Sequence, residues 1–309
     1  MRRLPLLLAV LLLAGACGGA PTAAQHDQLP AARRPSPSPR PTPTPLTFST
    51  SWMTMHPPPP LHLGAVSAVL VDMQTDQVLW SKNDTAQLPP ASLTKMLTVA
   101  VALRHVQPNT MLTVPASATK LPGEDTTMGL TQGEQLSVED LLYGIFMESA
   151  NDAALVLAQD IIPEPRFLAQ MNQLARAWGV GDAAFTDPTG LDQPGLHASA
   201  LDLAVIAGHL ETDDPEVMAI AGTREIDIAA TKTHKDYDLE SVNGLVLRGY
   251  PGITGLKTGF TDNAGYCVTA TATRGGRSLI AVVLNSETDL DDAKKLLDYG
   301  FASPADPLP

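Results

Sequence analysis

Apolar positions fall into three regimes along the chain. Residues 4–16 form one short unbroken apolar run behind Met1, Arg2 and Arg3. From 17 to 60 the pattern dissolves into Pro, Ser, Thr and Ala, and from 61 onward apolar runs of strand and helix length alternate with polar breaks. Residues 65–72 and 77–80 read as two strands around the polar turn Met73, Gln74, Thr75 and Asp76; residues 265–273 and 278–284 read as a second hairpin across Arg274, Gly275, Gly276 and Arg277. Between the hairpins the periods are helical. Pro89 and Pro90 lead into the run 96–103, Ser137 with Asp140 opens a run through Met147, and residues 153–158 resume it past a polar elbow at 148–152. A further helix covers 166–178, stopped by Gly179, and a last one 290–297. Strands at both ends with helices between predict an α+β fold: an antiparallel sheet formed by both ends of the domain, with a mostly helical insert.

Composition changes the picture at the N-terminus. The basic start, short apolar run and small-residue end of residues 1–16 have the form of an export signal peptide, too short to anchor as a bilayer span. Ala14, Gly15 and Ala16 before Cys17 read either as an A-x-A cleavage site or as a lipobox whose cysteine is acylated. The other cysteine, Cys267, sits in the apolar run 266–270 as a small buried hydrophobe and offers Cys17 no disulfide, so lipidation of Cys17 and an N-terminal membrane anchor are the expectation. Residues 17–60, with prolines alternating through Pro35, Pro37, Pro39, Pro41, Pro43 and Pro45, read as a disordered tether. At ~3.1 Å per residue such a tether reaches on the order of 100 Å, which would hold a domain at 61–309 off a membrane.

The formal charge is −13, and Arg2, Arg3, Arg33, Arg34 and Arg40 all precede residue 61, where Asp27 is the only acid. The folded part is therefore more acidic than the whole, which excludes nucleic acid as a partner. The seven histidines show no His-x-His or HExxH spacing, so no metal or other cofactor is expected.

The chemistry centres on Ser92-Leu93-Thr94-Lys95, directly behind Pro89-Pro90-Ala91 and directly before the apolar run. On a helix's opening turn this spacing sets a hydroxyl and an amine on one face, a nucleophile beside a base. An amine with a pKa of about 10.4 is almost wholly protonated at pH 7, so Lys95 needs burial and a second cation nearby, for which Lys257 is the candidate. The pattern alone is weak, since Ser117-Ala118-Thr119-Lys120 matches too, and Ser-x-Asn occurs at Ser149-Ala150-Asn151 and again at Ser241-Val242-Asn243. Order and context decide between the copies. Ser92/Lys95, then Ser149/Asn151, then Lys257-Thr258-Gly259 follow the order of the three signature motifs of penicillin-recognising serine acyltransferases.

With Leu141-Leu142-Tyr143, the segment Phe185-Thr186-Asp187-Pro188-Thr189-Gly190-Leu191-Asp192 and the run 250–267, the chain from about 65 to 301 resembles the serine-type D-alanyl-D-alanine carboxypeptidases, the low-molecular-mass penicillin-binding proteins. The resemblance implies an exported bacterial enzyme of the cell envelope that removes the terminal D-alanine from peptidoglycan stem peptides through an acyl-enzyme and is inhibited by β-lactams. It implies Ser92 as nucleophile, Lys95 as base, Ser149 as proton relay and Asn151 as a holder of the substrate amide. Lys257 and Thr258 would meet the substrate's carboxylate, Gly259 would let an extended peptide approach, and the N–H groups of Ser92 and Phe260 would form the oxyanion hole.

One departure stands out. Many relatives carry an arginine between the last strand and the last helix, where this chain reads Asn285-Ser286-Glu287-Thr288-Asp289-Leu290-Asp291-Asp292, leaving Lys257 and Thr258 alone or Arg248 from elsewhere. The chain also ends soon after its final helix, which places any membrane attachment at the N-terminus. A class A β-lactamase shares the motifs but needs a Glu-x-x-Leu-Asn segment, absent between Asp152 and Gly255. A non-catalytic wall-binding scaffold has no need of a nucleophile with its base.

Overall fold

The computed structural model describes residues 44–121 and 126–304. The export signal, Cys17 and the tether up to residue 43 lie outside the described residues. In chain order the elements are α1 (Ser51–Met55), β1 (Ser67–Asp72), β2 (Gln77–Lys82), a 3-10 turn (Ala91–Thr94) running into α2 (Lys95–Ala102), β3 (Met111–Thr113), β4 (Gln135–Ser137), α3 (Val138–Met147), α4 (Asn151–Asp160) and α5 (Glu164–Ala177). Then follow α6 (Ala200–Asp213), α7 (Pro215–Ala221), β5 (Glu225–Ile228), β6 (Tyr237–Glu240), α8 (Gly244–Leu247), β7 (Ile253–Thr261), β8 (Gly265–Arg274), β9 (Arg277–Leu284) and α9 (Asp289–Ala302).

Five strands form one sheet in the order β2-β1-β9-β8-β7, every pair antiparallel, so the predicted sheet from both ends is present. Its central pairing joins the start of the domain to its end, Ser67 opposite Leu284 and Asp72 opposite Leu279. The side-chain period of two sends Val69 and Val71 of β1, with Ile280, Val282 and Leu284 of β9, into the core beneath the helical insert. The alternate residues Ala68 and Leu70, with Leu279, Ala281 and Val283, enter a second core with α9 and α1. Both faces are covered, so these strands read as unbroken apolar runs rather than alternating ones.

Three features differ from the sequence expectation. Residues 44–60 pack on the domain instead of continuing a tether: Leu46 N donates to Trp178 O at 3.3 Å, Ser49 bridges to Gln77, and Trp52 is buried beside Trp80, whose Nε1 donates to Pro59 O at 3.3 Å. Proline content set the expected boundary, and a buried tryptophan overrides it. Helix α6, unforeseen, opens with a capping box in which Ser199 and Asp202 bond reciprocally. Its residues from Leu203 to Leu210 are all buried, so it shows no polar face to betray a helical period. The short ribbons β3/β4 and β5/β6 are likewise unforeseen.

Elsewhere the local signals act as read. Ser137 Oγ accepts the Asp140 N–H at 3.0 Å, the Ser137 N–H reaches Asp140 Oδ2 at 3.2 Å, and α3 starts there.

Candidate active site

Ser92 sits on the 3-10 turn, and Lys95, three residues on, is the first residue of α2, so the expected opening turn is a 3-10 turn that leads into the α-helix. The pair is made: Lys95 Nζ donates to Ser92 Oγ at 2.7 Å. Lys95 is fully buried, and a second bond from its Nζ to Thr189 O at 2.8 Å fixes the amine. That carbonyl belongs to a loop tied from both sides. Asp187 Oδ1 accepts the N–H groups of Thr189 and Gly190 at 2.7 Å each, while Thr98 Oγ1 of α2 donates to Pro188 O at 2.6 Å. The helix that carries Lys95 thus also positions the carbonyl that holds it.

The loop presses on the turn that carries Ser92. Ala91 has a φ of +49°, a region that side-chain-bearing residues rarely adopt, and Gly190, with φ +87°, lies so close that a Cβ there would collide with the Ala91 carbonyl. From the other side comes β7, one of the two edge strands of the sheet. A Cβ on Gly259 would stand 2.9 Å from Ser92 N, so only glycine lets this strand lie against the turn.

The elbow between α3 and α4 supplies the third wall. Ser149 takes a φ of +62°, and Asn151 starts α4 with its N–H on Thr126 O at 2.8 Å. Asp152 clamps the passing segment by accepting from Met128, Gly129 and Leu130 N–H at 2.9–3.1 Å. Asn151 is buried, and its Oδ1 has no hydrogen-bond partner among the described residues. A buried acceptor without a partner is costly unless a ligand meets it.

These elements enclose a cavity of about 420 Å³ whose lining includes Ser92, Ser149, Asn151, Thr258, Gly259 and Phe260. Lys95 and Lys257 lie buried behind that lining. Lys257 Nζ donates to Thr258 O at 2.6 Å, and its amine is held well below the ordinary range, first by burial and then by the charge of Lys95. Two ammonium groups in one dry site disfavour each other, so the pair holds two protons less readily than one.

All eight residues singled out in the folded domain therefore meet at one place. The decoys do not: Ser117 Oγ donates to Gln159 and Lys120 is exposed, while Asn243 Oδ1 accepts the Leu245 N–H and caps α8. Arg248, the suggested stand-in for the missing arginine, is exposed and bonded to Asp291 at 3.4 Å, outside the cavity lining. The Thr189 carbonyl was not foreseen, because a backbone acceptor leaves no mark on residue type. Glu148 and Asp289, both in the lining, were also missed.

The geometry agrees with known proteins. The family model described as D-alanyl-D-alanine carboxypeptidase, peptidase S11, matches residues 52–288. The chain is 34% identical to D-alanyl-D-alanine carboxypeptidase DacF of Bacillus subtilis over 77% of this chain and 62% of that one. It is 31% identical to D-alanyl-D-alanine carboxypeptidase DacB2 of Mycobacterium tuberculosis over 76% of this chain and 81% of that one. The chain spans less than two thirds of the length of DacF and of the DacD enzymes it matches. Among solved structures, the Streptomyces K15 DD-transpeptidase superposes with a TM-score of 0.75 at 26% identity, over 80% of this chain and all of that one. With its signature residues gathered around one cavity and the family model spanning most of its length, the chain belongs to the peptidase S11 family of D-alanyl-D-alanine carboxypeptidases.

Proposed function

We propose that the protein is a serine D,D-carboxypeptidase that removes the terminal D-alanine from peptidoglycan stem peptides. The observation that carries this reading is the 2.7 Å bond from Lys95 Nζ to Ser92 Oγ at the wall of the cavity, with a second buried lysine beside it. The substrate's terminal carboxylate enters near Thr258 and Lys257 and draws the shared proton onto Lys257, which leaves Lys95 neutral. Lys95 Nζ then takes the Ser92 proton, and Oγ attacks the carbonyl between the two D-alanines. The developing oxyanion is met by the N–H groups of Ser92 and Phe260, each such donor typically contributing ~3–4 kcal/mol. Asn151 holds the substrate amide, and Ser149 passes a proton to the departing D-alanine nitrogen. Water then cleaves the Ser92 ester and restores the hydroxyl. β-Lactams enter the same sequence and stall at the ester.

The function sets the location. Stem peptides lie outside the cytoplasm, so the protein acts at the extracytoplasmic face of the envelope, exported by residues 1–16 and held by a lipid on Cys17. The test is D-alanine release from a stem pentapeptide together with labelling by a fluorescent penicillin. Wild type releases D-alanine and labels stably, and Ser92→Ala does neither. Absence of both from folded wild type would overturn the assignment.

A further inference from the structure

Two carboxylates in the cavity lining, Glu148 and Asp289, have no part in the chemistry above. Burial is the main cause that pushes each above the usual carboxylate range, with Asp152 adding for Glu148 and Asp292 and Asp291 for Asp289. No basic side chain acts on either of them among the described residues. A partly buried carboxylate surrounded by other acids is stabilised by a cation, and here none of the described side chains supplies one. Asp289 opens α9 and accepts the N–H of Leu290, which accounts for an acid at a helix start but not for one in a substrate cavity.

The rest of that wall is apolar and open. Phe260 and Tyr266 are 52% and 46% exposed, their rings 4.6 Å apart, and Val242 and Leu290 continue the surface. Exposed aromatic rings beside an uncompensated carboxylate suit a ligand group with an aliphatic stem and a cationic tip. The unpartnered, buried Asn151 Oδ1 in the same cavity independently calls for a polar ligand there, and an amide N–H fits it.

We propose that Asp289 is a specificity residue: it pairs with a free terminal amine on the side chain that precedes D-alanyl-D-alanine, while the methylenes of that side chain cross Phe260 and Tyr266. This rests on the carboxypeptidase reading above.

The test compares two peptides, Nα-acetyl-L-Lys-D-Ala-D-Ala and the same peptide with its ε-amine acetylated, by kcat/KM for D-alanine release. Wild type favours the free amine by about tenfold, and Asp289→Asn brings the ratio to about one. Asp291→Asn removes the same charge from the same helix start at an exposed side chain bonded to Arg248, and it keeps the ratio. Equal turnover of both peptides by wild type overturns the proposal and leaves the carboxypeptidase reading standing. So does a preference that survives Asp289→Asn or disappears in Asp291→Asn. Release from neither peptide overturns the carboxypeptidase reading, and this proposal with it.

Discussion

Lys257 is completely buried, and its amine is held well below the ordinary 10.5, first by burial and second by Lys95. The unfolded chain binds a proton at this position that the folded chain binds weakly. Between the depressed folded value and about 10.5, the unfolded state therefore holds more protons and stability rises with pH. Thermal unfolding of wild type is expected to show Tm increasing from neutral toward alkaline pH, with a flatter profile in Lys257→Met. The same variant is expected to be at least as stable as wild type at pH 7 and to lose penicillin labelling by more than about 100-fold, because a site residue is kept at the expense of stability. A lower Tm together with an unchanged pH slope would contradict the burial argument. At this scale the residue types were legible from sequence, since a nucleophile needs a base and a base needs a lowered pKa. Which copy of each motif lines the cavity was legible only from the order of the motifs and their flanking context, and the Thr189 carbonyl was not legible at all.

Among the elements, the turn at Ala91, the loop at Gly190 and strand β7 at Gly259 meet within van der Waals contact. Gly190→Ala puts a methyl onto the Ala91 carbonyl at a φ of +87°, and the turn that carries Ser92 must shift. The expected result is a cost of about 1–3 kcal/mol and a fall in acylation rate of roughly 100-fold, measured by denaturant unfolding and penicillin labelling. Wild-type labelling kinetics would show that the turn tolerates the displacement.

A second prediction concerns the sheet. Arg277, read from sequence as part of a polar turn, is 7% exposed: its Nε donates to Asp72 Oδ2 at 2.7 Å, and its Nη1 to Gly300 O and Ser303 O at 2.9 and 2.8 Å. It ties the first strand, the last strand and the end of α9. Arg277→Leu strands the buried Asp72 and is expected to cost about 3–5 kcal/mol, seen as a lower urea midpoint with activity per folded molecule unchanged. Sequence placed the hairpin because turn residues are local signals. It could not place the ion pair, whose partners lie 205 positions apart.

At the scale of the whole molecule, the prolines of 17–60 suggested a tether, yet from residue 44 the chain packs on the domain, with Trp52 in the second core beside Trp80. Trp52→Ala is expected to cost about 3 kcal/mol, or roughly 6–12 °C in Tm for a domain of this size, while leaving the ratio of acylation to hydrolysis unaltered. A shift below about 2 °C would mean that the segment adds little to stability.

The sequence by itself determined the α+β class, the two terminal hairpins, the capped start of α3 and the identities of the residues that meet at the cavity. Each of these follows from local period, local capping or the chemistry of a residue type. Tertiary structure alone decided that α6 is a buried helix, that residues 44–60 belong to the fold, and that a backbone carbonyl fixes Lys95. It also brought Glu148 and Asp289 into the lining of the cavity beside Ser92. Those outcomes depend on contacts between segments far apart in sequence, where burial and close approach leave no periodic trace along the chain.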